Sequence, residues 1–165
     1  MGFTLLAHGL SVQKMDQWIT EQLHPGHPRE TLQPRNLEGM LTGFMDLIFE
    51  QQGRYYVLDY KSNKLPQYDA HNLLSSLLSH RYDVQYTLYV LALHRLLKSR
   101  LVGYQYAQHM GGAVYLFARG IDQPGQGVYS HCPPQALIEK LDQAFATISK
   151  SSAQALVKPL SQVLT

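Results

Sequence analysis

Apolar positions change their spacing along the chain, and each spacing predicts a different element. The run from Gly2 to Leu10 predicts a short first strand, FTLLA, that leads into a turn at His8-Gly9. Two segments rich in β-branched and aromatic residues, Met40–Glu50 and Arg54–Tyr60, flank the turn pair Gln52-Gly53, which predicts a β-hairpin. From Tyr82 to Arg100 apolar residues recur at i, i+3 and i+4, the spacing of an amphipathic helix.

Weaker patterns complete a mixed arrangement of helices and strands. Asp16–Leu23 predicts one or two helical turns, and the proline-rich stretch from His24 to Asn36 predicts a loop. Asn63–His80 is polar at first and then apolar, which predicts a loop followed by a short helix. Ala113–Ala118 predicts a central strand, and Gln135–Ser149 predicts a last helix. The expected fold is mixed α/β: a central mixed sheet containing the hairpin, flanked by helices.

Composition narrows the class of protein without naming a function. The 165 residues suit one domain, which we place at residues 1–150, followed by a loose polar tail at residues 151–165. The 45% apolar content excludes wholesale disorder, and the single cysteine, Cys132, cannot form an internal disulfide. No apolar run reaches the ~18–20 residues that span a bilayer, and Met1–Leu10 does not resemble a signal peptide. We therefore expect a cytoplasmic protein.

Charge and aromatic content leave the function open. The formal net charge of +2 is too weak to indicate a nucleic-acid binder by itself. Tyrosine is unusually frequent, with 11 residues, and Tyr82, Tyr86 and Tyr89 form one of two clusters. Because tyrosine combines apolar area with a polar tip, we interpret these clusters as half-buried faces of strands and helices.

The register of the predicted hairpin brings acidic residues together. With Gln52-Gly53 as the loop, paired positions sum to 105, so Asp46 lies opposite Asp59 and Phe44 opposite Lys61. Asp46, Asp59 and Lys61 then share one face of the hairpin. The other face is predicted to be the core surface, and it holds Met45, Leu47, Phe49, Tyr56 and Leu58.

Two carboxylates and an ammonium on one face indicate a candidate cation site. Opposed Cβ atoms lie ~4.5–5.5 Å apart, so carboxylates at Asp46 and Asp59 repel each other unless a cation lies between them. Mg²⁺ binds through one or two carboxylates, with water and phosphate oxygens completing its shell. Lys61 would then reach the attacking water or the phosphate. The alternative interpretation is a surface salt bridge between Asp59 and Lys61, with Asp46 a solvated strand residue.

Three segments in order carry a family resemblance: GFMDLIFEQQGRYYVLDYKSN, HRYDVQYTLYVLALHRLL and GGAVYLFARG. Together they resemble the C-terminal nuclease domain of the RecB-type beta subunits of exodeoxyribonuclease V, within the PD-(D/E)XK nuclease superfamily. The resemblance covers roughly residues 33–145. It implies a PD-(D/E)XK core and an Mg²⁺-dependent DNA nuclease that hydrolyses phosphodiester bonds in double-strand-break repair and recombination; Mn²⁺ or Ca²⁺ can occupy the same site.

The resemblance assigns roles to individual residues. Asp46 and Asp59 match the family's metal-binding carboxylates, and the backbone carbonyl of Tyr60 is placed to complete the metal shell. Lys61 matches the catalytic lysine, which orients the attacking water and offsets charge on the phosphate. In this assignment Asp46, Asp59 and Lys61 are the catalytic residues.

A second motif, QxxxY, is matched by Gln85 and Tyr89 on the predicted long helix. In the family this pair lies beside the active site and contacts DNA or supports the metal. Their i, i+4 spacing places both side chains on one helical face. Ordinary helix packing is the alternative interpretation.

The chain also departs from the family pattern. The family carries an upstream metal-binding histidine and a glutamate before the first strand, and neither has an evident match here; we interpret His8, His24 and His27 as ordinary surface or core histidines. No G-x-x-x-x-G-K-[ST] motif occurs, so we expect no ATP site in this chain.

We expect a fragment or split gene product whose partners are DNA, RecC-type and RecD-type subunits and the helicase portion of the beta subunit. The alternative function is a catalytically incomplete nuclease-fold module that binds DNA or partner subunits without cutting.

Overall fold

A computed structural model describes residues 1–146 and 157–159 of the chain as two four-stranded sheets and five helices. The described elements in chain order are β1 (Gly2–Ser11), α1 (Val12–Gln22), β2 (Asn36–Phe44), β3 (Leu47–Gln51), β4 (Arg54–Lys61), α2 (Ala70–Ser79), α3 (Tyr82–Arg100), α4 (Tyr106–His109), β5 (Met110–Phe117), β6 (Val128–His131), α5 (Gln135–Ala144), β7 (Phe145–Ala146) and β8 (Val157–Pro159). The mixed α/β class predicted from the sequence is confirmed.

The first sheet has the strand order β7-β1-β2-β8. β1 and β2 are antiparallel, with Gly2 paired to Phe44 and Leu5 to Leu41. β7 adds to β1 in an antiparallel direction, and β8 adds to β2 in a parallel direction. The predicted first strand is present, but the predicted turn at His8-Gly9 is wrong: β1 continues to Ser11 past an irregularity between Ala7 and Leu10.

The second sheet has the order β3-β4-β5-β6 and is mixed. β3 and β4 form an antiparallel hairpin, β4 and β5 are parallel, and β6 is antiparallel to β5. Parallel neighbours need a long crossover, and the chain between β4 and β5 supplies it with α2, α3 and α4. The predicted strand at Ala113–Ala118 corresponds to β5, which begins earlier, at Met110, and ends at Phe117, in the interior of this sheet.

Helix α3 is the main element packed on this sheet, and its bounds are those predicted from the sequence. It packs against β4, β5, α1 and α5. Arg81, the residue before the helix, has φ +55° and is 2% exposed. Its guanidinium binds Asp16 and Asp83, and Asp83 also binds Arg29 at 2.7 Å. This buried ion network attaches the 24–35 loop and α1 to the beginning of α3.

The predicted hairpin is correct in its turn and inner register. Gln52 and Gly53 have φ of +52° and +77°, as expected for a two-residue turn that matches the twist of the flanking strands. The five pairs from Gln51↔Arg54 to Leu47↔Leu58 all sum to 105.

The predicted first strand of the hairpin, Met40–Glu50, is wrong as one element. The chain bends at Met45 and Asp46 and divides into β2 and β3, which belong to different sheets. Met45 lies at this bend, and its side chain is buried in the core, with 1% exposed. Phe44 consequently pairs with Gly2 and not with Lys61, as the extended register had predicted.

The predicted core surface of the hairpin is wrong in large part: Met45 and Leu58 are buried, but Leu47, Phe49 and Tyr56 are not. The side packed in the core carries Val57, Asp59, Lys61, Ala113, Tyr115 and Phe117, and we call it the covered face. The opposite side, the open face, carries Leu47, Phe49, Tyr56, Leu58, Val114 and Leu116. Leu47 is 46% exposed, and four of the other five are only half-buried. The carboxylate-bearing face therefore belongs to the core, because α3 packs on that side.

The remaining predictions have mixed outcomes. α1 and α2 appear near their predicted positions, but α5 ends at Ala144, before the predicted end at Ser149, because the chain then pairs with β1 as β7. β6 was not predicted. The proposed loose tail at residues 151–165 lies largely outside the described residues, and the division at residue 150 stays a prediction. None of the described helices has the length and apolar character needed to cross a membrane.

Candidate active site

Asp59 and Lys61 reach the site from the end of β4, on the covered face. Both are largely buried, with 10% and 11% of their side chains exposed. The Lys61 Nζ atom lies 2.5 Å from Asp59 Oδ2. Alternation along a strand puts positions 59 and 61 on the same face, so β4 itself supplies this ion pair. The pair is not the exposed surface salt bridge of the alternative interpretation.

Asp46 joins this pair from the bend between β2 and β3, although it lies outside the described ladder of the hairpin. Its Oδ2 atom accepts a hydrogen bond from the backbone N–H of Tyr60 at 3.0 Å. This bond anchors an exposed carboxylate beside Asp59. The predicted proximity of the two aspartates is thus present, and a side-chain bond to the backbone produces it.

Gln85 approaches from α3 and connects three elements. Its Oε1 atom accepts hydrogen bonds from Lys61 Nζ at 2.9 Å and from the Tyr115 hydroxyl at 2.8 Å. Because an amide oxygen has two acceptor positions, both bonds are satisfied together. Gln85 therefore touches the lysine directly, which ordinary helix packing does not require.

Tyr89 lies one turn further along α3 and is 4% exposed. Its ring packs edge to face against Phe3 of β1, with centroids 5.7 Å apart. Burial raises the pKa of its hydroxyl, and the negative charges of Asp59 and Asp46 raise it further. Tyr89 therefore stays protonated beside the two carboxylates and contributes apolar packing between the first sheet and α3.

The electrostatics of Asp59 show competing influences. Burial raises the pKa of its carboxyl, the nearby Asp46 charge also raises it, and the Lys61 ammonium lowers it. Burial is the largest cause, so the net shift is upward. One lysine does not fully compensate two adjacent carboxylates, one of which is buried. The site consequently favours additional positive charge.

A divalent cation fits this donor set. Asp46 and Asp59 supply carboxylate oxygens, and the carbonyl of Tyr60 belongs to the residue whose N–H holds Asp46. Among the described residues, no group of three or more His, Cys, Asp or Glu side chains could hold a metal. Two carboxylates with water and substrate oxygens are the usual protein environment of Mg²⁺. The ligands present suit a hard cation that retains part of its water shell.

Two tyrosines at the site were not identified from the sequence. The rings of Tyr82 and Tyr115 lie over Lys61 Nζ, at 3.9 Å and 4.8 Å from the ring centroids. Tyr82 precedes Gln85 by three residues on α3, a spacing that places it on the same face. Tyr115 pairs with Asp59 across β4 and β5. The helical spacing was visible in the sequence, but the strand pairing was not.

Comparison with known proteins identifies the family of the chain. The sequence profile of the PD-(D/E)XK nuclease superfamily matches residues 7–162, nearly the whole chain. The chain belongs to the PD-(D/E)XK nuclease superfamily. Within it, the RecBCD enzyme subunit RecB of Escherichia coli (strain K12) is 46% identical over 132 residues, and its counterpart from Haemophilus influenzae is 42% identical over 131 residues. The subunit of the same name from Mycobacterium tuberculosis is 38% identical over 119 residues.

These matches are consistent with a RecB C-terminal nuclease domain. They cover 76% of this chain for the first two relatives and 64% for the third, but only 11% of the length of each relative. PD-(D/E)XK nucleases generally use divalent metals. In this PD-(D/E)XK nuclease chain, Asp59 and Lys61 form a D-x-K sequence on β4, and Asp46 precedes them at the bend between β2 and β3.

Proposed function

We propose that this chain is the Mg²⁺-dependent nuclease domain of a RecBCD-type, ATP-dependent exodeoxyribonuclease, and that it hydrolyses phosphodiester bonds in DNA during double-strand-break repair and recombination. The observation that supports this most strongly is the convergence of Asp46, Asp59 and Lys61 from β4 and the adjoining bend. The similarity to RecB subunits supports the assignment to a RecBCD-type enzyme. We assign it to the cytoplasm, with RecC-type and RecD-type subunits and the helicase portion of the beta subunit as partners.

In this proposal each residue has a defined chemical role. Asp46, Asp59 and the Tyr60 carbonyl would hold Mg²⁺, and the bound ion would supply positive charge that offsets negative charge on the phosphate and makes a water molecule more nucleophilic. Lys61 donates hydrogen bonds that orient the water and stabilise negative charge developing on the phosphate. Gln85 holds the Lys61 ammonium from the side opposite the strand. The water oxygen then bonds to phosphorus in line with the leaving oxygen, and the P–O bond to that oxygen breaks. The water releases its proton to solvent, and the leaving oxygen takes up a proton from solvent.

The orientation of Lys61 is favourable before substrate binds. Its ammonium already has two oxygen partners and lies in a site that is largely buried. Hydrogen-bond donors held in advance, away from bulk water, stabilise a developing anion more strongly than mobile exposed donors do. The lysine therefore needs little reorganisation when a phosphate arrives.

The test is degradation of linear DNA in the presence of Mg²⁺ by the parent chain and by three variants. Asp59→Ala and Lys61→Ala are expected to reduce cutting to background. Asp122→Ala, which removes an exposed carboxylate in a turn, is the matched control and is expected to cut like the parent. Equal, background-level loss of DNA by the parent and by Asp59→Ala would instead support the non-cutting, DNA- or subunit-binding module.

Calorimetry with Mg²⁺ separates the ligands from the lysine. Asp46→Ala is expected to weaken Mg²⁺ binding as well as cutting, because it removes one of two carboxylates. Lys61→Ala is expected not to weaken Mg²⁺ binding, because an ammonium is not a metal ligand. Unchanged Mg²⁺ affinity in the Asp46→Ala chain would contradict the ligand assignment.

A further inference from the structure

The ammonium of Lys61 is enclosed by two kinds of partner. Two are oxygens: Asp59 Oδ2 at 2.5 Å and Gln85 Oε1 at 2.9 Å. The other two are the ring faces of Tyr82, 3.9 Å from the ring centroid, and Tyr115, at 4.8 Å. Both rings lie well within the ~6 Å at which an aromatic face attracts a cation.

Each ring is itself held in place. The Tyr115 ring is 1% exposed, and its hydroxyl donates to Gln85 Oε1 at 2.8 Å. The Tyr82 ring stacks on His80, with centroids 5.2 Å apart and an angle of 17° between the planes. The Tyr82 hydroxyl also donates to Asn63 Oδ1 at 3.3 Å. Tyr82 is thus held by the His80 ring and, at its hydroxyl, by Asn63, while Lys61 Nζ lies 3.9 Å from its ring centroid.

The two kinds of partner differ in how they respond to a metal ion. A divalent cation at Asp46 and Asp59 competes with the Lys61 ammonium for the Asp59 carboxylate, and the two positive charges repel each other. Mg²⁺ prefers oxygen ligands. The tyrosine ring faces offer their negative quadrupole to the ammonium. The aromatic contacts therefore remain available to Lys61 when the Asp59 carboxylate also binds a divalent cation.

We propose that Tyr82, supported by Tyr115, is a positioning residue that keeps the Lys61 ammonium in the site when a divalent ion binds Asp59. This inference rests on the proposed function, because it assumes that Lys61 acts on the phosphate. Tyr82 acts through the lysine and touches neither the metal nor the reacting atoms in this role. The ring is the essential part, and its hydroxyl serves to anchor it to Asn63.

Nuclear magnetic resonance of the parent chain tests the contact without any cleavage. With ¹³C-labelled lysine and through-bond assignment, the ε-CH₂ protons of Lys61 are expected upfield of their ordinary position, because they lie near the face of the Tyr82 ring. The upfield shift is expected to persist when Mg²⁺ is added in the absence of DNA. Its absence from the parent, or its loss on adding Mg²⁺, would overturn the proposal.

Variants then separate the ring from the hydroxyl. Tyr82→Leu is expected to reduce the upfield shift to the smaller part that comes from the more distant Tyr115 ring, and to lower kcat for linear DNA about tenfold, with KM changed less than about twofold. Tyr82→Phe keeps the ring and is expected to retain the shift and to cut within about threefold of the parent. The rescue by phenylalanine distinguishes ring positioning from a catalytic hydroxyl.

Tyr104→Leu is the matched control for general damage. Tyr104 is also half-buried, its ring also contacts a histidine, His94, and its hydroxyl is also hydrogen-bonded. Tyr104→Leu is expected to leave both the Lys61 shift and kcat unchanged. An equal loss of kcat in Tyr82→Leu and Tyr104→Leu would contradict specific positioning of the lysine.

The two proposals fail in different ways. If Asp59→Ala and Lys61→Ala cut as well as the parent, the proposed function is wrong, whatever the tyrosine variants do. If those two variants lose cutting while Tyr82→Leu cuts like the parent, the proposed function stands and the positioning role of Tyr82 is wrong.

Discussion

The two faces of the β3-β4-β5-β6 sheet are both rich in apolar residues, but they have different surroundings. On the covered face, Val57 and Phe117 are 1% and 0% exposed and lie in the core with α3. On the open face, Phe49 and Tyr56 stack on each other, with centroids 5.0 Å apart, and both are only half-buried. Similar side chains on one sheet thus experience very different burial.

The difference shows why the charged residues lie on the covered face. Partial burial raises the pKa of Asp59 and confines Lys61 among Gln85 and two aromatic rings. On the open face the same pair would be exposed, where an ion pair is worth only ~0–1 kcal/mol. The edge of the core gives these charges the low dielectric and fixed geometry that a solvent-exposed face lacks.

The largest expected effect comes from removing a core side chain on the covered face. Phe117→Ala deletes a fully buried ring and leaves a cavity, so the free energy of unfolding should fall by about 3–5 kcal/mol. Urea unfolding monitored by circular dichroism measures the change.

Phe49→Ala on the open face is the matched control, since it removes the same ring from the same sheet. Because Phe49 is only half-buried, its loss should lower the free energy of unfolding by about 1 kcal/mol. Equal losses in the two variants would show that the two faces are equally covered in solution, and the comparison would be wrong.

The attachment of α3 to the covered face gives the next prediction. Asp83 is 0% exposed and binds both Arg29 and Arg81. Asp83→Ala leaves two buried guanidinium groups without this partner, so the free energy of unfolding should fall by about 3 kcal/mol.

The control for Asp83→Ala is Asp122→Ala, in an exposed turn, which should change the free energy of unfolding by less than about 0.5 kcal/mol. Thermal or urea unfolding of both variants at one pH is sufficient. If Asp83→Ala is as stable as the parent, the ion network does not hold α3 against α1 and the 24–35 loop.

The smallest expected effect is a pH dependence from the middle of α3. His94 is 4% exposed, and burial lowers the pKa of its imidazole below 6.5, although Asp142 partly opposes the shift. The unfolded chain therefore binds a proton at higher pH than the folded chain does. The contribution of neutral His94 to stability is complete above pH 6.5 and is lost as the pH falls from there through the lowered folded pKa.

His94→Gln removes this titration while retaining a polar side chain. The stability of the parent relative to His94→Gln should decrease as the pH is lowered below 6.5, measured by urea unfolding across that range. A difference that increases on acidification would mean that the charged imidazole is stabilised in the folded chain, contrary to its burial.

Local patterns predicted those parts of the molecule that depend on neighbours in sequence. The apolar spacing of α3 located both ends of the helix, and Gln52-Gly53 located the turn and the inner register of the hairpin. The D-x-K alternation on β4 placed Asp59 and Lys61 on one face. Each of these depends on a helical or strand period that a short segment carries by itself.

Predictions that depended on distant contacts were less successful. Met40–Glu50 looked like one strand, and only the pairing of β2 with β1 shows that the chain changes sheets at Met45. Burial of the Leu47 and Tyr56 side of the hairpin was the reasonable expectation, since that face is wholly apolar. It was wrong because α3 packs on the other face.

The amino-acid order alone determined the helix and turn positions, the D-x-K pair on β4 and the membership of a nuclease superfamily, because these depend on local periodicity and on short motifs. Only the tertiary structure decided which sheet face is covered, how Asp46 reaches Tyr60, and that Tyr115 and Tyr82 enclose Lys61. Those arrangements join residues far apart in the chain, and packing of α3 and β5 against β4 brings them together.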